Sequence, residues 1–280
     1  RFFANPVRFF LTRRLDLRVA DTETRQEDSE PFDVAGLERH RISQQIVERL
    51  VSGRDAACLY EAFRAGGLLP HGQPGKRLFE TLHIGASEFA ARVRAVPEKD
   101  FLGRAEVRLE IGNFVLGGVL EGVGENGWFR YRYAAARPKD WLSNWICHLA
   151  WCMAGGRGTG RFAASNGWWA FEPVENPEPA LAALLDIYRQ GLSRPVHFFP
   201  KSGFAYGEEM RRSKSGSKAL ARAMQVWKGN DYNRGEKEDP YYALWFGEEI
   251  PLNDEFEDFS GAVMMPLLEG RRSDETPRPV

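Results

Sequence analysis

One acidic and two basic side chains fall close together in a hairpin predicted between Asn113 and Tyr133. Asn126-Gly127 predicts a type I′ turn with a two-residue loop, because both residues tolerate the positive φ that this turn requires. The resulting register places Glu121 opposite Arg132, with Arg130 on the same face of the two strands. A carboxylate can bind a divalent cation, whereas an arginine stays protonated and repels one. We therefore expect Glu121 to form an ion pair with Arg132 or Arg130.

The strand that carries Glu121 resembles the first catalytic strand of the PD-(D/E)xK nucleases, in which an acid follows a glycine and two hydrophobic residues. Gly118-Val119-Leu120-Glu121 fits that half of the motif, but Arg130-Tyr131-Arg132 stands where the family has acid-x-Lys. A guanidinium in that place repels Mg²⁺ by roughly 4 kcal/mol per charge pair at ~4 Å and an effective dielectric of ~20. The resemblance thus implies a degenerate site of Glu121, Arg130 and Arg132, with no catalytic residue, no metal and no other cofactor.

An active enzyme is the alternative interpretation of the same hairpin. Glu121 could approach Glu106 or Glu110 on the preceding strand and bind a metal with them, which would give a divergent metal-dependent nuclease. The two arginines expected opposite Glu121 argue against this interpretation, because they disfavour a cation at the same place.

The composition limits the classes of protein to consider. The net charge of the 280 residues is −1, so any contact with nucleic acid must come from a local basic surface. Three cysteines without a CxxC pair argue for a reducing compartment and against a zinc site, and no apolar run is long enough to span a membrane. The segment from Asp21 to Asp33 is acidic, and we expect it to be either a solvated loop or a segment that attracts a basic partner. Because the chain starts with Arg1, we also expect it to be a fragment of a longer chain.

Helical and strand patterns alternate along the chain, which predicts an α/β fold. Helices are expected after Asn5, over about 37–51, after Asp55, over about 76–96, after Asp140, after Asn176, within 201–228 and near the end of the chain. Strands are expected at Arg104–Val123, Trp128–Ala135, Arg161–Phe171 and Val196–Phe199. The order matches a PD-(D/E)xK restriction-endonuclease-like mixed sheet flanked by helices. We expect one domain over residues 1–280, with a helical insertion at about 37–97 and a basic and acidic insertion at about 201–258.

Basic residues concentrate between Lys201 and Lys228, where they outnumber the acids seven to two. Such a run is explained by a helix face that is exposed to solvent. The more specific hypothesis is that these residues contact the phosphates of a nucleic acid. Trp168 follows a second predicted Asn-Gly turn and could stack on a base or pack in an interface. The residues predicted to bind nucleic acid are Arg211, Arg212, Lys214, Lys218, Arg222 and Trp168.

Three segments resemble the C-terminal region of the RecC family, the gamma subunits of bacterial exodeoxyribonuclease V. They are Asn5-Pro6-Val7-Arg8-Phe9-Phe10, the run from Lys201 to Tyr206, and the run from Gly235 to Tyr242. The resemblance covers nearly the whole chain. It implies a nuclease-like domain without catalytic acids, in a cytoplasmic bacterial helicase–nuclease with RecB and RecD, acting at a DNA duplex end or fork during repair and recombination. The family's strand-parting pin matches none of these segments. A docking module without DNA contact is the remaining alternative.

Overall fold

A mixed six-stranded sheet with helices on both faces forms the centre of the protein. The structure is a computed structural model that describes residues 1–19, 36–96 and 103–274, so the acidic segment from Asp21 to Asp33 lies outside the described residues. The predicted α/β class, with a mixed sheet flanked by helices, is confirmed.

The ten α-helices of the described residues are α1 (Pro6–Arg14), α2 (Gly36–Val51), α3 (Leu59–Ala65), α4 (Gln73–Arg94), α5 (Pro138–Met153), α6 (Glu178–Gly191), α7 (Pro200–Ser213), α8 (Gly216–Lys228), α9 (Pro240–Phe246) and α10 (Asp254–Gly270).

Five strands of the sheet follow one another in chain order, and the sixth comes from the end of the chain. They are β1 (Gly103–Ile111), β2 (Phe114–Gly124), β3 (Gly127–Arg132), β4 (Thr159–Ala164), β5 (Gly167–Phe171) and β8 (Arg271–Ser273), and β6 (Gly229–Asn230) pairs separately with β7 (Asn233–Arg234). Neighbouring strands are antiparallel except β3 and β4, which are parallel and joined through α5.

Two of the predicted strand runs each hold an antiparallel pair, and a third is wrong. The run from Arg104 to Val123 contains β1 and β2, which turn at Gly112-Asn113, and the run from Arg161 to Phe171 contains most of β4 and all of β5. The run from Val196 to Phe199 is no strand but a buried connection into α7. Its apolar residues fill the core without pairing to the sheet, so hydrophobicity alone misled the prediction.

Alternation along β3 divides the side chains between two cores. Trp128 points to the core that contains α5, α6 and α10, whereas Phe129 points to the core that contains α2 and α4. Burying both kinds of side chain stabilises the sheet from each face, by about 1.5–3 kcal/mol for each large apolar group. A third core joins α1, α7, α8 and α9 around Phe199, Trp227 and Tyr242.

The predicted Asn-Gly turns are displaced by one residue. Gly124 pairs with Gly127, so Glu125 and Asn126 form the turn, and Gly127 is already in β3. A Cβ atom on Gly127 would lie 2.0 Å from the carbonyl oxygen of Thr159 on the parallel neighbour β4. The glycine therefore serves the close approach of two strands rather than the turn.

A β-bulge at Gly122 separates the faces of Glu121 and Val123. Arg104 pairs with Glu121 and Gly103 with Val123, which leaves Gly122 as the extra residue, with φ of +78°. Val123 is 9% exposed in the α5 core, whereas Val119, on the other side of Glu121, is 56% exposed. Strict alternation along the strand predicts that Val119, Glu121 and Val123 share one face, and this prediction is wrong because a bulge reverses the alternation that follows it.

We expect Gly122→Ala to lower the free energy of unfolding by about 1–3 kcal/mol, because a positive φ strains alanine. The new Cβ would also lie 2.4 Å from the carbonyl oxygen of Phe129. Gly118→Ala is the matched control on the same strand, where nothing lies within 4 Å of the added Cβ. Urea unfolding should show the control unchanged or slightly stabilised. Equal loss in both variants would contradict the role assigned to the bulge.

Candidate nucleic-acid interface

The structure does not bring the charged groups of Glu121, Arg130 and Arg132 together. Glu121 forms its ion pair with Arg104 across β1 and β2, at 3.2 Å, and both side chains are exposed. Arg130 donates from Nε to the backbone oxygen of Glu121, at 3.3 Å, and its guanidinium lies 5.5 Å from the centre of the Trp128 ring. The predicted ion pair of Glu121 with Arg132 or Arg130 is therefore wrong.

Arg132 has a closer partner in the first turn of α5. Its guanidinium lies 2.6 Å from Asp140, a carboxylate that is only 14% exposed and also accepts a hydrogen bond from the backbone nitrogen of Arg137. β2 and β3 pair only at Val123–Trp128 and Gly124–Gly127 and then diverge, which carries Arg132 away from Glu121. The hairpin thus holds two separate charge pairs instead of one cluster.

Neither Glu106 nor Glu110 lies directly opposite Glu121 in the register of β1 and β2. Glu106 and Glu110 pair across the strands with Val119 and Val115, and the residue opposite Glu121 is Arg104. Among the described residues, no three side chains of His, Cys, Asp or Glu gather into a group that could hold a metal ion.

Four of the predicted nucleic-acid-binding residues line one open groove of about 1240 Å³ between α7 and α8. We call it the α7–α8 groove, and its basic side chains are Arg211, Arg212, Lys218, Arg222 and Arg271. Lys214 does not line it but ends α7 with φ of +52°. Trp168 is 4% exposed and stacks on Phe129 in the α2–α4 core, which leaves no ring face for a base. Its assignment to nucleic-acid binding is corrected to core packing.

The cations of the α7–α8 groove differ in how far they are neutralised. Arg212 pairs with Glu209 at 2.7 Å, and Arg211 donates to the backbone oxygen of Leu268. Lys218 and Arg222 form no ion pair within the described part of the chain, and Arg222 donates to Gln225. These two exposed side chains on α8 are the ones best able to meet an anion.

Arg271 is a member of the groove that the sequence analysis missed. It lies in β8, a three-residue strand whose length gives no periodic signal. Its guanidinium stacks 4.3 Å from the centre of the Trp141 ring and lies 3.7 Å from Glu208. Burial lowers the pKa of the Arg271 guanidinium, and Glu208 partly offsets this effect. An arginine nevertheless stays charged, so Arg271 adds a fixed positive charge to the groove.

Three contacts fix the position of α7. At its start, the buried Glu236 carboxylate accepts hydrogen bonds from the backbone nitrogens of Lys201 and Ser202, at 3.0 and 2.7 Å. Along its length, Gly203 and Gly207 let α10 approach so closely that an added Cβ would lie 2.9 and 2.8 Å from side chains of that helix. At its end, the Arg211 guanidinium donates to the backbone oxygen of Leu268 in α10. α7 is thereby held at both ends and on one face.

The sequence profile of the RecC C-terminal domain matches residues 1–211 of this chain. The chain belongs to the RecC C-terminal domain family. The RecBCD enzyme subunit RecC of Escherichia coli K12 is 32% identical over 259 residues, which are 88% of this chain and 23% of the relative. The RecC of Buchnera aphidicola from Acyrthosiphon pisum is 23% identical over 86% of this chain and 23% of its own length. The RecC of Haemophilus influenzae is 22% identical over 54% of this chain and 14% of its own.

The expected RecC resemblance is thus confirmed. This RecC-family chain spans about a quarter of the length of the Escherichia coli and Buchnera relatives. The profile match includes Arg211 of the α7–α8 groove and ends before Arg212, Lys218, Arg222 and Arg271. Among the described helices of this family member, none is long and apolar enough to cross a membrane.

The pH dependence of stability should report the buried Glu236. Burial raises the pKa of its carboxyl above the ordinary 4.5, and the amides of Lys201 and Ser202 offset only part of the rise. Between pH 4.5 and the raised pKa of the folded state, Glu236 keeps a proton in the folded protein that it has lost in the unfolded chain. The stabilisation from this group is therefore complete below pH 4.5 and is lost as pH rises through the folded-state pKa.

Glu236→Gln removes this titration, so we expect the stability of the wild type relative to the variant to fall as pH rises across that window. Urea unfolding in buffers from about pH 4 to about pH 8 measures the difference. If the free energy of unfolding of the wild type instead rose relative to that of the variant with rising pH, the backbone amides would lower the pKa of Glu236 more than burial raises it.

Proposed function

We propose that this chain is a non-catalytic DNA-binding and subunit-docking domain of a RecBCD-type helicase–nuclease that acts in double-strand-break repair and recombination. The observation that carries the proposal is the α7–α8 groove, in which Arg211, Arg212, Lys218 and Arg222 line one surface. Membership of the RecC family supports the assignment to this complex.

Local charge explains how a chain with a net charge of −1 binds DNA. Affinity for a phosphate backbone comes from the cations that replace condensed counterions, not from the charge of the whole protein. Five basic side chains line the α7–α8 groove against Glu208 and Glu209. Lys218 and Arg222 face the solvent at the open side of α8, where they add to the attraction of a duplex end or fork.

A nuclease-like origin is the finer part of the proposal. The order of α4, three antiparallel strands, α5 and a strand parallel to β3 supports a PD-(D/E)xK-like sheet. Glu121 sits where that resemblance has its first acid, and its charge is met by Arg104. Arg130 and Arg132 occupy the places of the second acid and the lysine. We propose that this hairpin serves as scaffold rather than as a catalytic site.

The partners follow from the family. The relatives are named as RecC subunits of the RecBCD enzyme, so RecB and RecD are the proposed partners of this domain in a bacterial cytoplasm. We propose that the chain acts as one unit, in which the insertion at about 37–97 covers one face of the sheet. The insertion at about 201–258 then supplies the surface for DNA. These 280 residues contain no GxxxxGK[ST] loop, so we assign no ATP-dependent step to them.

Charge reversal at Lys218 and Arg222 tests the groove without breaking an ion pair of the fold. We expect the double variant Lys218→Glu/Arg222→Glu to bind a forked duplex at least tenfold more weakly. The slope of log affinity against log salt should become shallower by about two, one unit for each lost phosphate contact. Fluorescence anisotropy with a labelled fork, between about 50 and 200 mM salt, measures both quantities.

Lys76→Glu is the matched control, because Lys76 is an exposed cation in the first turn of α4 and outside the groove. It should leave affinity and slope unchanged. An unchanged affinity in the double variant would remove DNA from the proposal and favour a docking module without nucleic-acid contact.

The proposal also predicts that the chain does not cut DNA with Mg²⁺ or Mn²⁺, because arginines stand in place of the second acid and the lysine. The measurement is a gel assay of a labelled linear duplex with each metal and with a chelator. Glu121→Ala is the informative variant, since it removes the one acid that matches the motif. Metal-dependent cutting that disappears in Glu121→Ala would establish the alternative, a divergent nuclease that uses Glu121.

A further inference from the structure

A second basic groove, of about 1070 Å³, opens at the other end of α7. We call it the α1–α5 groove, because α1 and the start of α5 form its walls together with the start of α7 and the segment from Arg234 to Tyr242. Six arginines and two lysines line it, against Glu236, Glu238 and Asp239. The three segments that resemble the RecC family, at Asn5, Lys201 and Gly235, all meet here.

The carboxylates of the α1–α5 groove are committed to the backbone. Glu236 accepts from the nitrogens of Lys201 and Ser202, Glu238 from Gly235 at 2.7 Å, and Asp239 from Tyr241 at 3.0 Å. Each therefore fixes a turn or a helix start, and Glu238 also forms an ion pair with Arg234.

Most of the cations have no such commitment. Arg13, Arg137, Lys139 and Lys201 are exposed and form no ion pair with any described residue. Arg8 lies over the ring of Tyr241, and Arg234 pairs with Glu238 at 3.4 Å. The groove thus offers several positive charges without an ion pair among the described residues, whereas Arg18 pairs with Asp16 and Arg234 with Glu238. Of the lining acids only Glu236 is buried.

An aromatic ring stands on the hairpin that borders this groove. β6 and β7 join at a turn where Tyr232 is 94% exposed, two residues before the groove-lining Arg234. Asn230 Oδ1 accepts from the backbone nitrogens of Tyr232 and Asn233, at 3.0 and 2.8 Å, and thereby holds the turn. The fold thus presents an exposed ring on a turn that hydrogen bonds hold in place.

We propose that the α1–α5 groove binds the phosphodiester backbone of a single nucleic-acid strand and that Tyr232 stacks on one of its bases. A basic groove beside an exposed aromatic ring is the arrangement that holds single strands without reading sequence. An acidic peptide would satisfy the cations but offers no flat partner for Tyr232. The inference rests on the proposed function only in taking DNA as the source of the strand, and it does not need the α7–α8 groove.

The spacing of the two grooves suits a fork. Lys201 and Arg211 lie ten residues apart on α7, which is about 15 Å along the helix axis. A duplex at the α7–α8 groove and a separated strand at the α1–α5 groove could therefore contact the same domain within a few nucleotides.

Two kinds of variant separate the charge from the ring. Arg13→Glu/Lys139→Glu should weaken binding of a labelled oligothymidylate and make its salt slope shallower by about 1.4, since each single-strand contact contributes about 0.7. Tyr232→Ala should weaken binding roughly 5- to 150-fold with the slope unchanged, because stacking releases no counterions. Tyr232→Phe keeps the ring and should bind as the wild type does.

The outcomes distinguish this inference from the proposed function. If Lys218→Glu/Arg222→Glu weakens binding of the fork but Arg13→Glu/Lys139→Glu leaves the oligothymidylate affinity unchanged, the inference is overturned and the function stands. If instead Arg13→Glu/Lys139→Glu weakens binding of the oligothymidylate and Lys218→Glu/Arg222→Glu leaves binding of the fork unchanged, the inference stands and the α7–α8 groove has no role in DNA binding. Binding of a polyglutamate peptide that Arg13→Glu/Lys139→Glu abolishes, without any effect of Tyr232→Ala on the oligothymidylate, would replace the strand by an acidic peptide.

Discussion

A buried carboxylate at the start of α7 is the contact on which both grooves depend. Glu236 is 5% exposed and binds the first backbone nitrogens of a helix that begins 36 residues earlier in the chain. A carboxylate at a helix N-terminus is stabilised by unpaired N–H groups and by the helix dipole, whereas burial alone disfavours its charge. The two effects oppose each other, so the contact contributes more to position than to net stability. It joins the segment beside the α1–α5 groove to the helix that walls the α7–α8 groove.

The remaining face of α7 leaves little freedom of movement. Gly203 and Gly207 lie one helical turn apart and let Ser260, Met264 and Leu268 of α10 approach the backbone. Small residues at this spacing permit close helix packing, and closely packed interiors resist displacement. Arg211 and Arg212 follow in the last turn of the same helix. Their place at the surface is therefore set by a rigid core and not by a mobile loop.

Local patterns predicted the helices well and the sheet less well. The periodicity of α2, α4 and α6 and the cap of α1 are properties of short segments, and Asn5 does accept from the backbone nitrogen of Arg8, at 2.8 Å. A glycine, in contrast, can serve a turn, a bulge or a close approach, and only distant neighbours decide between them. Gly127 faces Thr159 of β4 and Gly122 faces Phe129, so the turn and the register could not be read from the hairpin alone.

The partners of the charged residues could not be predicted from local sequence either. The arginines of β3 were expected to pair with Glu121, but their partners depend on which acid lies nearest in the fold. Arg132 meets Asp140 on α5, where the carboxylate is largely buried and also caps the helix start. An exposed acid such as Glu121 gains little from pairing in water, whereas a shielded one with a fixed orientation attracts a neighbouring arginine more strongly.

This difference also explains how two basic grooves arise on a nearly neutral chain. Acids that are tied to backbone nitrogens are fixed by the fold, as Glu236, Glu238 and Asp239 are. Cations have no role in these backbone contacts and remain at the surface, where long side chains keep their charge in water. A segment with as many acids as bases can therefore present a basic surface, because its acids are oriented by backbone nitrogens while most of its cations extend into the solvent. Counting charges along the sequence misses this separation, and it identified only the α7–α8 groove.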